Sequence, residues 1–342
     1  MTAPLLSVVI PARNATTTLP RCLDAVSRAA SPATEVILVD DASDDDTGAI
    51  GKARGVSVLR LSSQSGPAHA RNAGVAVARA PIVVFIDADV VIASDALSRI
   101  ATTFAADSEL AALFGSYDDA PAAGTIVSDY RNLLHHYVHQ TAQPRSTTFW
   151  AGLGAIRRTV FDAVGGFDQR YRRPSIEDIE LGARLAAAGH RIHLDRDLRG
   201  AHLKRWSFTG MVRTDVLERA RPWTRLLLRD GTLPRDLNLQ WRHRASGVLV
   251  WVIVVLGVAA LIWPSSRGLV GVAAAIGVVA LALLNLGFYR FLAARRGLGF
   301  TTAAFGLHAC YYAYASATFG WCCAEYGVER VLRRRPRQVS EY

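Results

Sequence analysis

Residues 83–92 read VVFIDADVVI, in which eight positions are apolar and the other two are Asp87 and Asp89. An unpaired carboxylate is costly inside a buried strand, so two of them at its end call for a ligand. Alternation along an extended chain sends positions i and i+2 to one side, which would aim both acids at the same partner. Hard divalent cations such as Mg2+ or Mn2+ prefer oxygen ligands, often one or two carboxylates plus substrate phosphates. A second acidic set follows another apolar run in VILVDDASDDDT. Asp44, Asp45 and Asp46 suit helix capping. Asp40 and Asp41 abut the strand, where a carboxylate can accept the N–H of a nucleobase. The third set is Glu177, Asp178 and Glu180 in SIEDIELGARLAAAG. Acids are favoured in a helix's first turn whatever their function. The glycines upstream, in GLGAIRRTVFDAVGGFD, suit a backbone that bends closely around a ligand.

The elements needed to position these acids alternate. LLSVVIPA, EVILVDD, VSVLRL and PIVVFIDAD read as short strands, with helices starting near Thr16, Asp46 and Gly66. Such alternation predicts an α/β fold with a mainly parallel, Rossmann-like sheet covered by helices. Ligands bind at the carboxyl ends of strands in such sheets. Asn14, Asp40, Asp41, Asp87 and Asp89 all fall at strand ends. The first strand is not followed by G-x-G-x-x-G, so a dinucleotide fold has no support.

Six motifs occur in order: SVVIPARN, VILVDDASDDDT, GPAHARNAG, FIDAD, GGFD and EDIELGARLAAAG. Together they resemble family 2 glycosyltransferases of GT-A fold over roughly residues 5–203. The resemblance implies a nucleotide-sugar donor, most often a UDP-sugar, a divalent metal (Mg2+ or Mn2+) and an inverting displacement at the anomeric carbon. It implies that Asp41 contacts the base with Asp40 in support, and that Arg71 lies near the nucleotide or phosphates. Asp87 would face the ribose, Asp89 would ligate the metal, Asp178 would be the general base and Glu177 would shape the site. His202 is a further metal candidate, or a packing histidine. HLKRW at 202–206 is similar to the Q-x-x-R-W motif of processive synthases, but His202 replaces the glutamine and the interval from Asp178 is short, which puts processivity in doubt.

Charge sets the remaining bounds. The formal net charge is +10, yet residues 1–203 carry 20 basic against 22 acidic residues. The excess lies in residues 204–244, with 10 against 4, and in residues 245–342, with 9 against 3. Basic residues flanking apolar blocks suit anionic headgroups rather than nucleic acid. Residues 245–263 and 268–288 are uncharged and long enough to span a bilayer as helices. The uncharged block 301–324 is softer, and suits either a third span, about 303–324, or a helix lying in the interface. Basic clusters before the first span, after the second and after the third all favour the cytoplasm, which three crossings cannot satisfy. Residues 206–244 mix Trp, Leu and Arg as an interfacial helix does. Cys22, Cys310, Cys322 and Cys323 show neither metal nor disulfide spacing, and MTAPLLSVVIPARN lacks a signal-peptide pattern.

The sequence therefore predicts a catalytic domain over 1–205, an interfacial connector over 206–244, a membrane region over 245–325 and a basic tail over 326–342. The expected protein is a plasma-membrane, multi-pass transferase with a cytoplasmic catalytic domain, extending a hydroxyl of a lipid or lipid-linked glycan. A polyprenyl-phosphate sugar synthase and a catalytically silent nucleotide-sugar binder are the alternatives.

Overall fold

The structure, a computed structural model, describes residues 3–231 and 240–334. Part of the expected connector, residues 232–239, and the end of the basic tail, residues 335–342, lie outside the described residues. The chain divides into two compact units, Met1–Ser207 and Phe208–Tyr342.

The first unit is built on one nine-stranded sheet. Strands β1 (Leu6–Ala12), β2 (Thr34–Asp40), β3 (Ser57–Arg60) and β4 (Ile82–Ile86) pair in parallel in the order β3-β2-β1-β4. Helices α1 (Leu19–Ala29), α2 (Thr47–Ala53) and α3 (Pro67–Val77) connect them. Val8, Val9 and Ile10 are fully buried, since helices cover both faces of the sheet. That is why β1 reads as a continuous apolar run without alternation. α1 turns Leu19, Cys22, Leu23 and Val26 inward at helical spacing.

The sheet continues through β5 (Val90–Ile92), α4 (Ala96–Ala106), β6 (Leu110–Tyr117), α5 (Ile126–Thr141), β7 (Arg145–Ser146) and β8 (Leu153–Arg157). It ends with α6 (Arg158–Ala163), α7 (Glu177–Ala187) and β9 (Arg191–His202). β8 lies antiparallel between β4 and β6, β6 pairs in parallel with β9, and β5 pairs antiparallel with β9. The register Val90↔His202 brings the end of the last strand beside the turn that leaves β4. Gly182 of α7 permits a close approach: a Cβ there would meet Phe149 N at 2.3 Å.

The second unit opens with α8 (Phe208–Arg213), a π-helical turn (Thr214–Ala220) and α9 (Arg221–Asp230). α10 (Trp241–Ile262), a short 3-10 turn (Pro264–Ser266) and α11 (Arg267–Leu284) form a helical hairpin. Two segments, Trp241–Ile262 and Pro264–Leu284, are long and apolar enough to cross a membrane, with mean hydropathies of 2.7 and 2.2. Only 17% and 11% of their apolar windows are buried, so the unit itself leaves most of that surface uncovered. α12 (Leu286–Arg334) follows and breaks at Gly297, whose φ of 81° and ψ of 172° are not helical.

Candidate active site

Asp40 is fully buried, with Oδ1 accepting the Ser43 N–H at 2.9 Å and Oδ2 accepting Arg60 Nη1 at 2.7 Å. Arg60 also donates to the Ser43 carbonyl, at 2.8 Å. These bonds hold a tight loop in which Ala42 has a φ of 53°, a left-handed backbone that costs about 1–3 kcal/mol in a residue other than glycine. Asp41 accepts the N–H groups of Ser65 at 2.7 Å and Gly66 at 2.9 Å, and so joins the end of β2 to the start of α3. Each of its oxygens keeps a second lone pair for another donor. A polar cleft of about 740 Å³ opens beside this loop, lined by Ser63, Ser65, His69, Gln169, Arg170 and Arg172.

Gly66 has a φ of 90°, and a Cβ there would lie 2.3 Å from the Arg172 carbonyl oxygen. Gly66→Ala should therefore strain the backbone and push the 172 loop away from Asp41. We expect a loss of about 1–3 kcal/mol in stability, read from thermal melts. An unchanged melt would show that the loop accommodates the methyl group freely.

Arg71, on α3, is buried at 4% exposure. Its Nη1 donates to Glu177 Oε1 at 2.8 Å and its Nη2 to Asp87 Oδ1 at 2.7 Å, while the guanidinium sits over the Phe167 ring at 5.4 Å. Arg71, expected near the nucleotide or phosphates, is in the structure the buried cation that ties two acids together. Glu177 accepts the Ser175 N–H through its other oxygen, at 2.9 Å. Asn72, the neighbour of Arg71, brackets Phe167 by donating to its carbonyl at 2.8 Å and accepting its N–H at 2.9 Å. The ARN triplet thus fixes the GGFD segment, whose Gly165 and Gly166 both take positive φ.

The DAD segment is not extended. The Val90 N–H donates to the Asp87 carbonyl at 2.9 Å, so the chain leaves β4 in a tight turn. Strand alternation, the sequence argument for placing both acids on one side, does not operate here; the turn and its neighbours set their direction. Burial pushes the Asp87 carboxyl up, Arg71 opposes this and Asp89 adds to it. The Asp87 side chain keeps 34% exposure, so water moderates that push. Burial works against the Asp89 carboxylate too, but the hydrogen bond and charge of His202, with Lys204 nearby, hold it below its ordinary value. His202 Nε2 stands 3.3 Å from Asp89 Oδ2, and the Leu203 N–H donates to the Asp89 carbonyl at 2.8 Å. The His202 ring stacks on Tyr117 at 4.4 Å and 9°.

Asp178 is half-buried at the start of α7. Its Oδ2 accepts the Ala151 N–H at 3.1 Å and its Oδ1 the Ile179 N–H at 2.8 Å. Burial and the neighbouring Glu177 push its carboxyl up to about 7, against the pull of Arg71 and the two backbone donors. Trp150, next to Ala151, packs against Tyr117 at 4.8 Å and His135 at 4.8 Å, and makes an aromatic wall near the acids. The sequence reading missed this wall, although a tyrosine closing the apolar run LAALFGSY was a signal for it. Trp206 of the HLKRW segment is 8% exposed, donates its backbone N–H to Ser128 Oγ at 2.8 Å and carries Lys204 over its ring at 4.1 Å, so it packs as an anchor.

Among the described residues there is no cluster of three or more His, Cys, Asp or Glu side chains set to hold a metal ion. The Asp89–His202 pair still fits a divalent cation: one ionised oxygen donor and one imidazole are adjacent, and a diphosphate would supply the other oxygens.

Residues 7–165 match the family model described as glycosyl transferase family 2. The domain belongs to glycosyl transferase family 2. Residues 132–203 also match a model described as the N-terminal domain of galactosyltransferase. Among curated relatives of this family 2 domain, the glycosyltransferase AglE of Haloferax volcanii is 26% identical over 209 residues, covering 59% of this chain and 67% of AglE. The succinoglycan biosynthesis protein ExoU of Rhizobium meliloti is 34% identical over 87 residues, covering 24% of this chain and 25% of ExoU. The O-antigen chain rhamnosyltransferase RfbN of Salmonella typhimurium is 24% identical, covering 64% of this chain and 74% of RfbN. The chain thus spans a quarter of ExoU and about two thirds to three quarters of the other two. A solved structure, the mannosyltransferase PcManGT of Pyrobaculum calidifontis in complex with GDP-Man and Mn2+, superposes with a TM-score of 0.58 at 20% identity, over 94% of this chain and 88% of its own. That likeness bears out the expected α/β GT-A fold with C-terminal apolar helices.

Proposed function

We propose that the protein is an inverting, metal-dependent glycosyltransferase that moves a sugar from a nucleotide-sugar donor to a hydroxyl of a lipid or lipid-linked glycan at the cytoplasmic face of the plasma membrane. The observation that carries the reading is Asp178. It is a half-buried carboxylate raised to about 7, and both it and Asp89 act on the hydroxyl of Tyr117, whose ring stacks on His202. A general base is most effective when its pKa lies near the working pH.

In this reading Asp178 accepts the proton of the acceptor hydroxyl as that oxygen attacks the anomeric carbon, and the nucleotide diphosphate departs from the opposite face. The Ala151 and Ile179 N–H groups hold the carboxylate in place, and Arg71, paired with Glu177 and Asp87, offsets part of the push that burial and Glu177 exert on it. Asp41 and the Ser65–Gly66 loop receive the base, with Asp40 and Arg60 stiffening that loop from below. Asp87, partly exposed, faces the ribose. Asp89 and His202 would hold Mg2+ or Mn2+, which supplies Lewis-acid stabilisation of the leaving diphosphate when bound. Relatives named for O-antigen and succinoglycan biosynthesis support a glycan acceptor, and the two apolar helices support a lipid-linked one.

The test is a thermal-shift screen of nucleotide sugars, with UDP and GDP arms, with and without Mn2+, on the full chain in detergent. One donor class should stabilise the protein only with metal, and purified protein should release that nucleotide. His202→Ala should weaken Mn2+ binding at least about 10-fold, as losses in a metal's coordination environment commonly do. Donor binding without turnover in any acceptor lipid extract would favour a silent binder. Label appearing on sugar-free polyprenyl phosphate would favour a phosphate acceptor. Unchanged Mn2+ affinity in His202→Ala would leave the histidine as packing for Tyr117.

A further inference from the structure

The third uncharged block, 301–324, lies in α12 after the break at Gly297. Its contacts within the second unit run from His308 to Glu329. The Tyr289 hydroxyl, just past α11, is 3.0 Å from His308 Nδ1. The Tyr312 hydroxyl donates to Asn285 Oδ1 at 2.8 Å and lies 2.8 Å from His243 Nδ1. Ser316 Oγ accepts the Trp251 indole N–H at 3.0 Å. The Tyr314 hydroxyl donates to Asp215 at 2.6 Å in the π-helical turn. Glu325 then pairs with Arg225 at 2.9 Å and Arg221 at 3.4 Å, and Glu329 stands 3.7 Å from Arg225.

Asn285 ends α11 and Ser246 lies near the start of α10; their side chains meet at 2.9 Å, which marks the end where the hairpin both enters and leaves. Residues 308–316 cross that end. A third span beside α10 would rise about 1.5 Å per residue and carry residues 316–324 past residues 254–262. Instead, the helix continues to Arg221 and Arg225, which precede α10 in the chain. Trp251 lies six residues beyond Ala245, or about 9 Å along the helix axis. That depth suits a helix whose apolar face sinks about 5–10 Å into the headgroup boundary. Phe319, Trp321 and Val328 remain 40%, 66% and 59% exposed. Charge points the same way. RHR at 242–244, RFLAARR at 290–296 and ERVLRRRPR at 329–337 all fall on one side if the chain crosses twice.

We infer that the chain crosses the membrane twice and that α12 beyond Gly297 lies in the headgroup layer of the leaflet from which α10 enters, on an anionic lipid surface. Its C-terminal end then stays on the side of the catalytic domain. The inference rests on the proposed reading that α10 and α11 span the bilayer.

Single cysteines in the full chain, placed at Ser265 and Ser340 after Cys22, Cys310, Cys322 and Cys323 are changed to serine, test it in intact cells with a membrane-impermeant maleimide. Ser265→Cys should label from outside, and Ser340→Cys only after permeabilisation. Labelling of Ser340→Cys in intact cells would establish a third crossing and overturn the inference. Failure of Ser265→Cys to label until cells are opened would overturn the spans themselves, a distinguishable result. A C-terminal green fluorescent protein on the otherwise unchanged chain guards against misfolding of the cysteine variants: it should fluoresce, and a dark, exported fusion would oppose the inference. Spin labels at Trp321 and Val328, seven residues apart on one face of the helix, should report one shallow depth; depths that differ by about 10 Å, their separation along a spanning helix, would overturn it.

Discussion

Asp178→Asn should lower transfer by about 10³-fold or more while donor binding stays near wild type, within the 10²–10⁴ range that a positioned base contributes. Asparagine keeps the shape of the side chain and one acceptor oxygen, so the Ile179 N–H can still be satisfied. What it loses is the capacity to take a proton from the attacking hydroxyl. Kinetics with the preferred nucleotide sugar, beside calorimetric donor binding, separate the two effects. If transfer survives in Asp178→Asn, the proton leaves by another route and the base assignment fails.

The same residue gives a pH signature. Because its carboxyl is raised to about 7, the base form grows as pH climbs through neutrality, and kcat/KM should rise along an acidic limb centred there. Stability moves the opposite way. The folded carboxyl holds its proton up to about 7 whereas the unfolded one releases it near 3.8. Between those values the folded state binds more protons, so stability drains as pH rises. Asp178→Asn lacks this slope, and its melting temperature should gain on wild type from pH 5 to pH 8. Parallel melts across that interval would contradict the raised carboxyl.

The features legible in the sequence were those that repeat a local rule. Continuous apolar runs such as SVVI and VVFI announced strands covered on both faces, and polar residues stopping those runs announced the ligand edge. Asp40, Asp41, Asp87 and Asp89 were found that way. Most partners of those acids were not legible, because they come from elsewhere along the chain: Arg60 for Asp40, and Ser65 and Gly66 for Asp41. The argument that aligned Asp87 with Asp89 assumed an extended chain, and a hydrogen bond from Val90 to Asp87 replaces it with a turn. The path of α12 was equally hidden. Hydropathy gives length, whereas the ion pairs from Glu325 to Arg221 and Arg225 span about a hundred residues, and only the two glycines of RRGLGF, Gly297 and Gly299, hinted at the break.

Arg71 carries the largest expected effect on stability. Its guanidinium is the buried counter-charge for Glu177 and lies against Asp87, and the side chains of Arg71 and Glu177 are each only 5% exposed. Removing one member of a buried pair strands the other's charge, at a cost of about 3–5 kcal/mol. Arg71→Leu should therefore lower the melting temperature by about 6–20 °C for a domain of this size. Arg71→Lys should recover only part of it, since a single ammonium lacks the fork that reaches both acids. The sign with pH is diagnostic. Without Arg71 the Asp87 carboxyl, already raised by burial, rises further above its unfolded value, so the variant should lose more stability than wild type as pH increases from 5 to 8. Adding Glu177→Gln to Arg71→Leu should restore part of the stability by removing the stranded charge, without restoring transfer. If Arg71→Leu melts like wild type at pH 8, the acids have found water, and Arg71 would be free to serve the donor phosphates as its sequence position first suggested.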